Sequence, residues 1–99
     1  MNINTVSQIT ASDVAEYLRI TDATTEDLNT LNTILTVAKN YVMQYTGRSQ
    51  EDIDTYPDVI IAVLVLCQDM WDNRALYVDS SNVNKVVESI LGLHSVNLL

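Results

Sequence analysis

Apolar residues at Leu28, Leu31, Ile34, Leu35, Ala38, Tyr41, Val42 and Tyr45 recur at steps of three and four, the spacing that gathers one stripe along an α-helix. The pattern predicts a long helix that begins at about Thr25, where Glu26 and Asp27 suit the first turn. It should end at Gly47, because glycine enters the left-handed cap conformation without a steric penalty. A shorter helix precedes it. Thr10 offers an N-cap hydroxyl with Asp13 three residues on, and Val14, Tyr17 and Leu18 then share a face up to about Arg19. Thr21 to Thr25 reads as a polar linker.

A third helix is expected from near Pro57, the residue type that suits a first turn, to about Leu76. Its first half is apolar on every face, and the β-branched residues Val59, Ile60, Ile61, Val63 and Val65 would also suit a buried strand. Helix is preferred, because no partner strand is visible elsewhere. After a polar turn at Asp79 to Asn82, the positions Val83, Val86, Val87, Ile90 and Leu91 predict a fourth helix ended by Gly92. Residues 1–8 lack periodicity and are expected to be loose, and residues 93–99 form an apolar tail that should pack on its own domain or on a partner. The expectation is one all-α domain over residues 1–99, a small bundle of about four helices with a long central pair.

Composition narrows what such a bundle can do. With 99 residues the chain supports one modest core. Thirteen acidic and five basic side chains leave a net charge of −8, the wrong sign for displacing counterions from phosphates or for meeting an anionic membrane. A basic protein partner is the charge-compatible alternative. The single cysteine, Cys67, excludes an internal disulfide and sits in an apolar run, where it reads as a small buried hydrophobe. No positive charge occurs before Arg19, so no secretory signal is expected, and the longest apolar run, Val59 to Cys67, is far short of the ~20 residues that span a bilayer.

Candidate chemistry is thin. The sole histidine, His94, lies between Leu93 and Ser95 with no evident triad or zinc partners. Glu51, Asp52, Asp54 and Asp58 lack the alternating ligands and turn glycine of a calcium loop, and Asp69 with Asp72 reads as solvated surface. No phosphate-binding loop fits a chain whose only glycines are Gly47 and Gly92. Neither a cofactor nor a metal site is expected, and no catalytic residue is assigned. Trp71 reads as the large core residue where helices meet. Arg48 and Arg74 each close a helix, where a cation caps the dipole locally or forms a salt bridge to the same or a neighbouring subunit. In the third helix Asp58, Ile61, Val65, Asp69 and Asp72 share a face opposite Val63, Cys67, Met70 and Arg74. Ile61 and Val65 are then apolar on an acidic face, which marks either a protein interface or burial by the first helix.

Three motifs carry a resemblance. Ile9-Thr10-Ala11-Ser12-Asp13-Val14-Ala15-Glu16-Tyr17-Leu18-Arg19-Ile20, then Tyr45-Thr46-Gly47-Arg48, then Trp71-Asp72-Asn73-Arg74 together resemble the small head-tail connector, or head-completion adaptor, proteins of tailed double-stranded DNA bacteriophages and prophages. The match spans about residues 9–93, with Ser80 to Leu99 departing from the pattern. The resemblance implies an all-helical, non-enzymatic virion protein, made in the bacterial host cytoplasm and placed at the head-tail junction. It implies a homo-oligomeric ring under the portal protein that closes the filled head and seats a tail-completion or stopper protein. DNA would pass through without sequence-specific binding, and no membrane is involved. Tyr17, Leu18, Tyr41, Tyr45, Gly47 and Trp71 would be architectural positions, and Ile61, Val65, Arg48 and Arg74 would serve the subunit interface. Two other classes remain: a small helical protein-binding regulator encoded by a phage or prophage, and a metal-dependent hydrolase using the acidic groups.

Overall fold

The computed structural model describes residues 3–96. A 3-10 turn at Val6–Gln8 leads into five helices: α1 (Ala11–Tyr17), α2 (Thr25–Thr46), α3 (Gln50–Ile53), α4 (Val59–Asp72) and α5 (Lys85–His94). The described residues contain no strand, and none of their helices is long and apolar enough to cross a membrane. The fold is all-α. Helices α2 and α4 form the central pair, α1 packs on α2, and α5 lies against α4 and reaches α2.

The core follows from the apolar stripes. Leu31, Ile34, Leu35, Ala38 and Val42 of α2 are buried, as are Val59, Ala62, Val63, Leu66, Cys67 and Met70 of α4. Val14 of α1 and Val87 and Leu91 of α5 complete it. The near-continuous apolar run of α4 is therefore helical, with covering helices taking up most of its circumference. Burial pushes the Cys67 thiol up to about 12, against the opposing charge of Lys39, so the thiolate is scarce and the side chain behaves as a hydrophobe.

Caps set the helix starts. At α1, Thr10 Oγ1 accepts from the Asp13 amide at 3.2 Å while Asp13 Oδ2 accepts from the Thr10 amide at 2.9 Å. At α2 the same reciprocal pair joins Thr24 and Asp27, at 3.1 and 3.0 Å. That places the N-cap at Thr24, one residue before the expected start, because only Thr24 stands three residues before a carboxylate that returns the bond.

The helix ends differ more from expectation. Both α1 and α4 stop in a Schellman motif. Arg19 (φ 58) follows α1, with the Ile20 amide on the Ala15 carbonyl and the Arg19 amide on the Glu16 carbonyl. Arg74 (φ 54) follows α4, with the Ala75 amide on Met70 and the Arg74 amide on Trp71. Helix α4 thus ends at Asp72, short of Leu76, and the side chain of Asn73 seals it by donating to the Asp69 carbonyl at 2.8 Å. Gly92 does not end α5. It lies within that helix, which continues to His94 because a partner for its terminal carbonyl is supplied from elsewhere in the chain. The one-turn helix α3, absent from the periodicity, is capped by Ser49 Oγ accepting from the Asp52 amide at 3.2 Å.

The amino-terminal segment is held, where looseness was expected over residues 1–8; residues 1 and 2 lie outside the described range. Val6 and Ile9 are buried. The Ser7 amide and hydroxyl both donate to the Asp54 carboxylate, the amide at 3.0 Å. Lys39 Nζ donates to the Ile9 carbonyl at 3.4 Å; burial lowers its pKa although Asp54 and Cys67 act to raise it. Asp54 is desolvated in part, which opposes ionisation, yet the hydrogen bonds from Ser7 and Gln50 outweigh this and hold its pKa below the ordinary 3.8.

Two predictions follow from these ends. Arg19 occupies a left-handed position that costs a non-glycine residue roughly 1–2 kcal/mol, against about 0.5–1 kcal/mol of extra chain entropy for glycine. Arg19→Gly should raise stability by about 0.5–1 kcal/mol in denaturant titration, and a loss would show that the arginine side chain holds the fold. For Asp54, a depressed folded pKa means stability that is full above the ordinary value and lost as pH falls through the lower folded one. Acid titration of Asp54→Asn should show a shallower loss of stability below about pH 4 than the parent chain, and an unchanged acid limb would contradict the role given to Ser7.

Candidate functional site

The turn after α2 collects the most concentrated polar geometry in the molecule. Thr46 is buried and folds its hydroxyl back onto the Val42 carbonyl at 2.7 Å. Gly47, at φ 70, then turns the chain out of the helix, with its amide on the Met43 carbonyl at 2.9 Å. Any side chain at Gly47 would sit in the strained left-handed region, though space alone would allow a Cβ 3.8 Å from that of Val96. The turn frees the Thr46 carbonyl, which accepts from the Val96 amide at 2.8 Å.

Arg48, placed between the cap of α2 and the cap of α3, reaches the end of α5. Its Nε–H donates to the His94 carbonyl, one of the groups a helix C-terminus leaves unpaired and where the dipole favours a cation. The guanidinium lies over the Tyr56 ring, 5.2 Å from its centroid. The other face of this arrangement is the His94 ring, stacked with Tyr56 at 4.0 Å between centroids. His94 Nε2 is 2.9 Å from both carboxylate oxygens of Asp58, so that nitrogen carries the hydrogen and donates. Arg48, Tyr56, Asp58 and His94 therefore clamp the carboxy-terminal end of α5 to the junction of α2, α3 and α4.

The arrangement fastens the end of α5 to the turn after α2. The described residues contain no group of three or more His, Cys, Asp or Glu side chains placed to hold a metal ion.

A family model described as phage gp6-like head-tail connector protein matches residues 8–94. The chain belongs to this family. Comparison with curated proteins and with solved structures gave no match. The connector family match takes in all five helices, from the buried Ile9 to the His94 that closes the clamp.

Within this connector the sequence-predicted positions separate into three groups. Arg48 belongs to the clamp, and Gly47 forms the left-handed turn just before it. Trp71, expected as the large core residue where helices meet, is half-buried and packs against the edge of the core. The buried stripe of α4 passes through Val63, Cys67 and Met70, and residue 71 lies about 100° round the helix from Met70. Arg74 stands over its ring, 5.3 Å from the centroid. Leu18 and Tyr41 are partly buried against the core, whereas Tyr17 and Tyr45 are exposed, Tyr45 at 40%. Tyr41 and Tyr45 pack ring to ring at 5.9 Å. Ile61 is 53% exposed on α4, and Val65 is partly buried against the core. The clamp brings Arg48 no nearer to Arg74 as a pair: each is engaged with an aromatic ring of its own neighbourhood.

Tyr56 and Asp58 were missed as partners of Arg48 and His94. The Arg48–His94 and Asp58–His94 contacts span 46 and 36 residues in sequence, and no local pattern announces them. Arg48→Ala should release the end of α5, so that amide hydrogen exchange at Val96 and in the last turn of α5 accelerates by roughly tenfold or more while the amides of Leu31 to Ala38 stay protected. Unchanged exchange at Val96 would show that Arg48 does not fasten the helix.

Proposed function

We propose that this chain is a structural connector of a tailed phage or prophage particle, assembling as a ring beneath the portal protein, closing the DNA-filled head and seating the tail-completion or stopper protein. The observation that carries the reading is the family match over residues 8–94, which spans the helical domain rather than a fragment of it. The work of such a protein is mechanical and needs surfaces, not reacting groups.

The ring would be built from heterologous contacts, in which one surface of a subunit meets a different surface of the next and the rotation closes. Ile61 supports α4 as one of these surfaces, since a large apolar side chain stands in water on the helix face it shares with Asp58 and Asp72. A charge of −8 on each chain opposes association of free subunits and suits a passage for DNA, because a negative lining offers no attractive well to a polyanion. The portal would act as the template that overcomes this repulsion. Virion placement at the head-tail junction follows from the same reading.

Ile61→Asp tests the surface without touching the core, as Val65→Asp would not. The variant should fold with unchanged helicity and stability within about 0.5 kcal/mol, and should fail to co-sediment with portal complexes that retain the parent chain. Co-sedimentation equal to the parent's would remove α4 from the interface. For the same charge reason, a gel shift with duplex DNA at low micromolar protein and about 150 mM salt should show no complex; a salt-sensitive retarded band would contradict the passive-channel reading.

A further inference from the structure

Helix α5 is apolar on two sides, and the domain covers only one of them. Val87 and Leu91 are buried in the core, whereas Val86, Ile90 and Leu93, spaced four and three residues apart, form a second stripe that stands partly in water, with Val86 52% and Leu93 79% exposed. No charged residue belongs to this stripe. Ser89 and Gly92, both exposed, lie beside it. A Cβ placed on Gly92 would meet nothing within 4 Å among the described residues, so packing inside the subunit does not call for glycine there, although glycine weakens a helix interior. An exposed apolar stripe edged by bare backbone is a surface that another chain can approach closely.

A second uncharged surface lies on another side of the molecule. Leu76 and Tyr77, 56% and 68% exposed, border a groove of about 260 Å³ whose other wall is Val37, Asn40, Tyr41 and Gln44 of α2, and no charged residue lines it. Its volume is below the roughly 300–1,000 Å³ of small-molecule sites and suits side chains of a protein. Burial, then the charges of Tyr45 and Glu88, raise the Tyr41 pKa, which places Glu88 on the flank of α5 toward α2. The Val86, Ile90 and Leu93 positions stand roughly 140–160° round the helix from Glu88, so α5 cannot turn this stripe into the groove of its own chain.

We infer that the Val86–Ile90–Leu93 stripe of one copy of this chain packs on the Tyr41–Tyr77 groove of a second copy, with Ser89 and Gly92 letting the two chains come close. The stripe has the anchor spacing of a helix seated in a groove. Charge selects the second copy as its occupant. Each chain is at −8, so two copies can meet closely only where both surfaces are free of charge, and a basic foreign protein would gain nothing electrostatic from either of these. Because the two surfaces differ and lie on different sides, the contact is heterologous and repeats from copy to copy. It rests on the ring reading above and gives that ring its surfaces. Helix α5 meets α4 at the Asp58–His94 contact, one turn before Ile61, so the stripe and the exposed face of α4 share one end of the molecule.

The test uses two full-length variants, Leu93→Cys and an isotopically labelled Tyr77→Cys. They are mixed at about millimolar concentration in about 1 M salt, where repulsion between chains is screened within a few ångströms, and joined with a short bismaleimide. The native Cys67 is buried, its thiol pushed up to about 12, and stays out of the reaction. Dimers holding one chain of each kind should form about tenfold faster than dimers of either variant alone, the gain that a specific contact gives over random collision, and a chain carrying both changes should give a ladder of multimers. Adding Gly92→Gln to the Leu93→Cys chain should cut the mixed product about tenfold while its thermal midpoint stays equal to or above the parent's, since glutamine favours a helix and meets no neighbour there. A random mixture of dimers would overturn the contact with a second copy, Leu93→Cys chains joining one another as fast as they join Tyr77→Cys would overturn the heterologous pairing, and an unchanged yield with Gly92→Gln would overturn the close approach. A ring seen in tailed particles without the mixed product would reject this contact and keep the ring, whereas the mixed product without a ring at the junction would reject the ring and keep the contact.

Discussion

The left-handed backbone at Gly47 is the constraint on which the rest of the arrangement depends. It stops a 22-residue helix at the one position where the Thr46 carbonyl and the Arg48 side chain both face the returning carboxy-terminal segment. With α2 stopped there, Ser49 can cap α3 and the short acidic turn can reverse the chain, so that α4 runs back along the apolar stripe of α2. Helix α5 is then fastened at its far end by the same turn. A longer α2 would carry Arg48 round the helix and away from His94, and the clamp would be lost although the α2–α4 core need not be.

The energetic weight is divided accordingly. Area burial between α1, α2, α4 and α5 supplies the bulk of the stability, and the polar clamp adds direction. Arg48 meets a carbonyl, an aromatic face and the end of a helix dipole at once, which is a combination lysine cannot reproduce with its single point charge. The clamp couples the turn after α2 to the carboxy-terminal helix, so the position of α5 on the body is set by chemistry near Gly47 and not only by the apolar contacts of Val87 and Leu91.

What was legible in the sequence is what is local. The stripe of α2, the Thr10–Asp13 cap and the glycine stop need only spacing and residue type, and they were read correctly to within a residue. The Schellman ends at Arg19 and Arg74 were not, because sequence logic expects glycine where the backbone turns left-handed, and arginine there gives no signal. The one-turn α3 is too short for periodicity; the Ser49–Asp52 cap is the mark that announces it. Trp71 was read as the large core residue where the helices meet, and it packs against the core from the edge to which the period of α4 turns it. The clamp itself was invisible, since its partners come from three separated segments and meet only after α4 has packed on α2.

Membership of the head-tail connector family gives the chain a structural role in a phage particle. Electron microscopy of tailed particles carrying a tag on this chain tests that most directly. A ring of tagged subunits between portal and tail is the predicted result, with five-helix density matching the fold described above. Complete particles in which the junction contains no copy of the chain would contradict it.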